Sequence, residues 1–143
     1  MCSSDLQQIG GVSLAPIAGE ITYGLERIAM YIQEVENIYD IKWNNDYNYG
    51  DIFLLREKQF SAYNLEYANI ENLFLQFDAA EKEAINLLEN KLVLPAYEEC
   101  LKASHILNLL EARKVIAVSE RANYISRVRN IAKSCCSLYK EIN

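Results

Sequence analysis

The run Gly19-Glu20-Ile21-Thr22-Tyr23-Gly24-Leu25-Glu26-Arg27 holds the side chains best suited to chemistry. It reads as a strand that ends at a glycine and passes straight into a helix. Gly24 permits close approach of the backbone to a ligand, and Glu26 and Arg27 fall in the opening helical turn. An arginine there stacks its planar guanidinium on an aromatic base and donates hydrogen bonds to phosphate, roles that lysine fills less well. Those are the requirements of an ATP site. Charged residues in a first turn more often face water than a ligand, so the run takes its meaning from what surrounds it.

The elements around it follow from punctuation and periodicity. Four of the five glycines precede Leu25, which puts the irregular or strand-like part at the front and leaves the rest helical. Leu25, Ile28, Ala29, Ile32, Val35 and Tyr39 recur at steps of three and four, predicting one helix with an apolar face that must be buried. Residues 44–50 read as a polar loop. Asn69 is the expected N-cap of a second helix, whose stripe runs Ile70, Leu73, Phe74, Phe77, Ala80, Ala84, Ile85 and Leu88. Pro95 suits the first turn of a third helix, with Tyr97, Cys100, Leu101 and Ser104 following at helical spacing. A last helix is expected from about Leu110. Its stripe is Val118, Ala122, Ile125, Val128, Ala132, Cys135 and Tyr139, and Arg121, Arg127 and Lys133 lie on its opposite side. The predicted class is mainly α, a helical assembly behind one short strand.

Composition narrows the possible functions. A chain of 143 residues, 51% of them hydrophobic, supports one modest globular unit. It has no apolar run of about eighteen residues and no basic segment leading into an apolar stretch, so neither a membrane span nor a secretory signal is expected and the cytoplasm is the default compartment. Cys135 and Cys136 are adjacent, while Cys2 and Cys100 stand apart. No metal-ligand spacing results, and these read as ordinary reduced thiols. His105 is the sole histidine, which leaves little material for a zinc site or a catalytic triad. It reads as a structural or surface residue. The net charge of −6 is unevenly spread: residues 1–110 carry 7 basic against 17 acidic side chains, whereas residues 111–143 carry 7 against 3. The basic end admits two readings, an RNA-facing surface or a solvated face that docks on an acidic partner.

The run Gly19 to Arg27 resembles motif 3 of class II aminoacyl-tRNA synthetases, and specifically that of the α subunit of the bacterial tetrameric glycyl-tRNA synthetase. The likeness extends through Gln7-Gln8-Ile9-Gly10-Gly11, Tyr31-Ile32-Gln33, Tyr49-Gly50-Asp51 and Ala62-Tyr63-Asn64-Leu65-Glu66-Tyr67-Ala68, in the order of that subunit. It continues with Leu94-Pro95-Ala96-Tyr97-Glu98, Asn108-Leu109-Leu110-Glu111-Ala112-Arg113 and Ser119-Glu120-Arg121. Ordered matches across nearly the whole chain carry far more weight than one short motif. They imply a strand remnant of the class II antiparallel sheet followed by a C-terminal helical bundle. The implied organisation is the end of a catalytic core over 7–40 and a helical region over 41–143. Residues 1–6 do not continue the pattern and read as a leader or a translated adapter scar.

Carried onto this chain, the resemblance implies that Arg27 acts in catalysis by contacting ATP, with Gly24 and Glu26 forming the same wall. Glu20 and Thr22 would line the glycine pocket. A carboxylate such as Glu20 is the natural partner of the glycine ammonium, and Thr22 is a candidate wall against larger amino acids. Class II sites more often have a small residue near Thr22. The family also implies magnesium in the complete enzyme, tRNA-Gly as acceptor, a second α subunit and a β subunit as partners. Nothing in this sequence matches motifs 1 and 2, so the isolated chain is expected to be inactive. The competing reading is a non-catalytic helical module that binds RNA or protein. The ten tyrosines, including Tyr31, Tyr39 and Tyr97, read as core or core-edge side chains rather than base-stacking platforms.

Overall fold

The computed structural model describes residues 2–9 and 12–142, which fall into two compact units. One holds residues 2–6 and 17–66; the other holds residues 7–9, 12–16 and 67–142. Strands β1 (Cys2–Ile9) and β2 (Val12–Thr22) pair in a two-stranded sheet. The front of the chain is thus a strand pair where the sequence predicted one strand.

In the first unit, β2 leads into α1 (Leu25–Ile32), a 3-10 turn (Ile38–Asp40) and α2 (Tyr49–Ala62), which runs on into a π-helical turn (Tyr63–Tyr67). The predicted helix to Tyr39 stops early. Glu34 adopts φ 54, and Val35 N–H bonds back to Met30 C=O at 3.0 Å, a left-handed closure that ends the helix. The apolar face of α1 is open in this chain, with Leu25 71% exposed. Tyr31, expected in a packed seam, is 86% exposed. Ile41 is buried in this unit, and Trp43, Tyr49 and Phe53 pack ring on ring, Tyr49 and Phe53 with centroids 4.4 Å apart. A capping box starts α2: the Asn48 side chain accepts from the Asp51 N–H, and Asp51 Oδ2 accepts from the Asn48 N–H at 2.8 Å.

The second unit is built on α3 (Ile70–Glu89), α4 (Val93–Ala112) and α5 (Val118–Ile142). Asn69 caps α3 as predicted, its Oδ1 accepting from the Asn72 N–H at 2.8 Å. Phe77 and Leu110 have no exposed surface and pack with Leu73, Ala80, Ala103 and Leu107. A second cluster joins Ala84 and Ala96 to Cys100, Ile131 and Cys135, and all of these but Ile131 are small side chains that let helices approach closely. In the stripe predicted for α3, Leu73, Phe77, Ala80 and Ala84 are buried, Ile70, Phe74 and Leu88 are half-buried, and Ile85 faces outward. On α4 the buried line is Val93, Ala96, Cys100, Ala103, Leu107 and Leu110, so the predicted Tyr97 and Leu101 lie on the exposed side.

The last boundary also moves. Leu110 belongs to α4, which closes at Lys114 with φ 55 and a Val115 N–H to Leu110 C=O bond of 3.2 Å, and α5 begins at Val118, 92% exposed. The end of α3 repeats this device, with Lys91 at φ 59 and Leu92 N–H bonded to Leu87 C=O at 2.9 Å. Three helices therefore stop at left-handed residues that are not glycine, and the missing glycine is why sequence punctuation misplaced two of these ends.

Arg127 was expected on the solvated side of the last helix. It instead ties α5 to α3: Nη2 reaches Asp78 Oδ1 at 2.6 Å, Nε bonds Glu81 Oε1 at 3.0 Å, and the guanidinium lies 4.6 Å from the Phe77 ring centroid and 5.0 Å from that of Tyr124. The Glu81 hydrogen bond, followed by that of Asp78, outweighs partial burial and pushes the Arg127 pKa further up. Among the described residues no helix is long and apolar enough to cross a membrane.

Candidate functional site

The chemistry-bearing run occupies the end of β2 and the first turn of α1, within one compact unit. Alternation along a strand puts residues i and i+2 on one face. Glu20 and Thr22 accordingly meet, the Thr22 hydroxyl donating to Glu20 Oε1. Both are exposed, so the carboxylate is oriented by its neighbour while remaining open to a ligand.

Two residues later the chain turns into α1. Gly24 is the N-cap at φ −77 and ψ 98 and supplies no side-chain cap. Its carbonyl accepts the Ile28 N–H at 3.1 Å, the first bond of the helix. The opening N–H groups of α1 thus gain no capping oxygen from Gly24, and N–H groups at such an end favour negative charge. Arg27 leans back toward the helix start, as helical side chains do. A Cβ placed on Gly24 would lie 3.6 Å from Arg27 Cδ, an ordinary contact. Neither backbone conformation nor crowding within this chain therefore demands glycine at position 24. Glu26 sits exposed in the same first turn.

The structure thus brings Glu20 and Thr22 into contact and, on the consecutive element, sets Arg27 beside the space that a side chain at Gly24 would take. All five, Glu26 included, are exposed. The site is a surface in this chain rather than an enclosed pocket, with a carboxylate and hydroxyl on the strand and a guanidinium on the helix.

Sequence reasoning missed the residues that hold this surface in place. Gln33, just past α1, grips the backbone of Lys42 twice: Oε1 accepts from the Lys42 N–H at 2.7 Å and Nε2 donates to its C=O at 3.2 Å. This clamp fixes the far end of α1 to the loop that precedes α2. Gly50 is tightly seated, since a Cβ there would lie 3.0 Å from both Cβ and O of Tyr39, which would have to give way. Tyr49-Gly50-Asp51 was visible as a matching segment, but its reason, the close seating of α2 on the 3-10 turn, needs the fold. Gln33 likewise lay in a matching segment, Tyr31-Ile32-Gln33, but its role was not legible, because a side chain clamping backbone nine residues away leaves no periodic trace.

The thiols lie elsewhere, in the second unit. Cys100, Cys135 and Cys136 are free, the first two buried. Burial, and then the neighbouring Cys100 and Cys136, push the Cys135 thiol up to about 11; burial and Cys136 raise Cys100. Such thiols stay protonated at neutral pH and act as small apolar core residues. His105 is exposed on α4.

A family model described as glycyl-tRNA synthetase alpha subunit matches residues 4–143.

Proposed function

Because the chain belongs to the glycyl-tRNA synthetase alpha subunit family, we propose that the surface from Glu20 to Arg27 is one wall of the site that activates glycine with ATP. The observation that carries this reading is the joint between β2 and α1, where an oriented carboxylate–hydroxyl pair is followed by a glycine N-cap and, in the first turn of the helix, by an exposed arginine. In this reading Arg27 stacks on adenine and neutralises phosphate charge, and Glu26 and Gly24 shape the same wall. Gly24 fits that role because nothing inside the chain requires it to lack a side chain, while close approach of a nucleotide would.

Glu20, steadied by Thr22, receives the glycine ammonium. Rejecting alanine depends on exclusion, since a pocket gains only about 1–3 kcal/mol per methylene, and Thr22 provides a firm wall beside the carboxylate. The reaction is attack of the glycine carboxylate on the α-phosphate, then transfer to the terminal ribose of tRNA-Gly, and both steps rest on positioning and charge stabilisation. Magnesium, when bound in the complete enzyme, supplies charge neutralisation on the phosphates. Among the described residues no three His, Cys, Asp or Glu side chains are placed to hold a metal ion.

The open apolar faces of α1 and α2, including Leu25, Ile32, Leu55 and Phe60, suit a chain that works in an assembly, here the α2β2 ligase with a second α subunit and a β subunit. The 143 residues alone are proposed to be inactive, lacking the opposite wall that motifs 1 and 2 supply in class II enzymes. Pyrophosphate exchange tests both halves. The chain alone should show no glycine-dependent turnover. In the assembled ligase, Arg27→Ala should lower exchange by about 10²-fold or more, and Gly24→Ala should impair ATP use while leaving folding intact. Unchanged exchange in the Arg27→Ala ligase would remove the assignment.

A further inference from the structure

We propose that the outward face of α5 binds the phosphate backbone of an RNA through Arg129, Lys133 and Lys140. The basic end of the sequence is not one surface. Arg113 donates to the Ala68 carbonyl at 3.2 Å, Arg121 pairs with Glu111 at 2.6 Å, and Arg127 is held by Asp78 and Glu81. Those three cations are committed to the fold. Arg129, Lys133 and Lys140 are exposed and form no ion pair among the described residues.

Steps of four and seven residues place the three on one line of the helix, roughly 6 and 10 Å apart along its axis. No acidic residue occurs between Glu120 and Glu141. Every exposed α5 side chain from 126 to 137 is polar: Ser126, Arg129, Asn130, Lys133, Ser134 and Ser137. A shallow groove of about 550 Å³ lies against this face, lined by Asn130, Lys133, Ser134, Ser137 and Glu141 together with Leu88 and Leu138.

This composition selects the occupant. A protein partner needs an apolar patch at the centre of its interface, where lysine is depleted; here the exposed side chains from 126 to 137 are all polar, and the apolar surface is confined to the half-buried Leu88 and Leu138 inside the groove. Lysine, arginine, serine and asparagine are the side chains that contact phosphate oxygens. A row of cations with neutral donors between them matches a polyanion with charges spaced along a strand. The acidic remainder of the chain repels such a ligand, which confines contact to α5, and at physiological salt that repulsion reaches only about 8 Å.

The face extends the proposed function, and it rests on that reading only for the choice of a transfer RNA as one probe. The full chain is titrated with a transfer RNA transcript and with an unrelated hairpin RNA, without ATP or glycine, from 50 to 300 mM salt. Binding to both is expected, since backbone contacts carry no sequence information. The variant Arg129→Gln, Lys133→Gln, Lys140→Gln should bind roughly tenfold or more weakly and lower the slope of log affinity against log salt by about 2–3. A control with the same charge change elsewhere, Lys42→Gln, Lys58→Gln, Lys82→Gln, should bind like the original chain. Circular dichroism checks that the variants remain folded, and the charge-keeping variant Arg129→Lys, Lys133→Arg, Lys140→Arg should retain affinity. Equal weakening by both triple variants would overturn the proposal, as would absence of RNA binding at 50 mM salt. Preference for polyglutamate over RNA would also overturn it, in favour of an acidic protein partner. None of these outcomes touches the catalytic reading, which is tested by exchange.

Discussion

The two units of this chain spend their apolar residues differently. In residues 67–142, Phe77, Leu110, Ala84, Ala96 and Ala103 have no exposed surface, and α3, α4 and α5 enclose two buried apolar clusters. In residues 17–66, α1 and α2 bury no residue fully, and Leu25, Ile32, Trp43, Leu55 and Phe60 remain open. The candidate site lies in the second of these regions. Stability and the proposed chemistry are therefore housed apart, as expected where binding elements must stay open to ligand and partner. The first unit is held instead by directional devices: the Gln33 clamp, the Asn48–Asp51 box and the Gly50 seat.

The comparison predicts a graded series of effects. Phe77→Ala should cost about 3–5 kcal/mol, read by urea denaturation, because it empties a site enclosed by α3, α4 and Tyr124. A loss below 1 kcal/mol would mean that the three helices do not form the chain's stable core. Arg127→Gln should cost about 1–2 kcal/mol, since it leaves Asp78 and Glu81 facing each other without their cation. Lys114→Gly should stabilise by about 0.5–1 kcal/mol by relieving the left-handed backbone at φ 55, and a destabilisation would show that α4 does not end there.

Cys135 adds a pH dependence to the same core. Folded, its thiol holds its proton up to about 11; unfolded, it titrates near its ordinary value of 9.0. The unfolded chain thus loses the proton first, so this contribution is complete below about pH 9 and is lost as pH rises toward 11. In Cys135→Ala the fall of stability over that window should be shallower. The smallest effect belongs to the open region: Arg27→Gln should change stability by under about 0.5 kcal/mol, because the side chain is exposed and forms no ion pair among the described residues. A larger loss would make Arg27 a structural residue and blur the distinction between the units.

Much of this was legible before any coordinates. The Asn69 cap, the α3 stripe through Phe77 and the strand-to-helix run ending at Arg27 are local features, set by hydrogen bonds and periodicities that span only a few residues. Ends of helices were less legible, because Glu34, Lys91 and Lys114 make left-handed closures without the glycine that usually announces them. The outward turn of Tyr97 and Leu101 was hidden for another reason: α4 is apolar around much of its circumference, and only its packing against α3 and α5 selects the buried line.

The sequence by itself determined the mainly helical class and the identity of the side chains at the joint of β2 and α1, since each depends on neighbours along the chain, whereas it did not mark β1 or the helix α2. Tertiary structure alone decided which cations of the last helix are free. Arg127 and Arg129 are two residues apart and chemically alike, yet one is held by carboxylates 46 and 49 residues earlier while the other faces solvent. Charge is written in the sequence, but the partner that neutralises it is chosen by distance in the folded chain, and Coulomb energy depends on that distance.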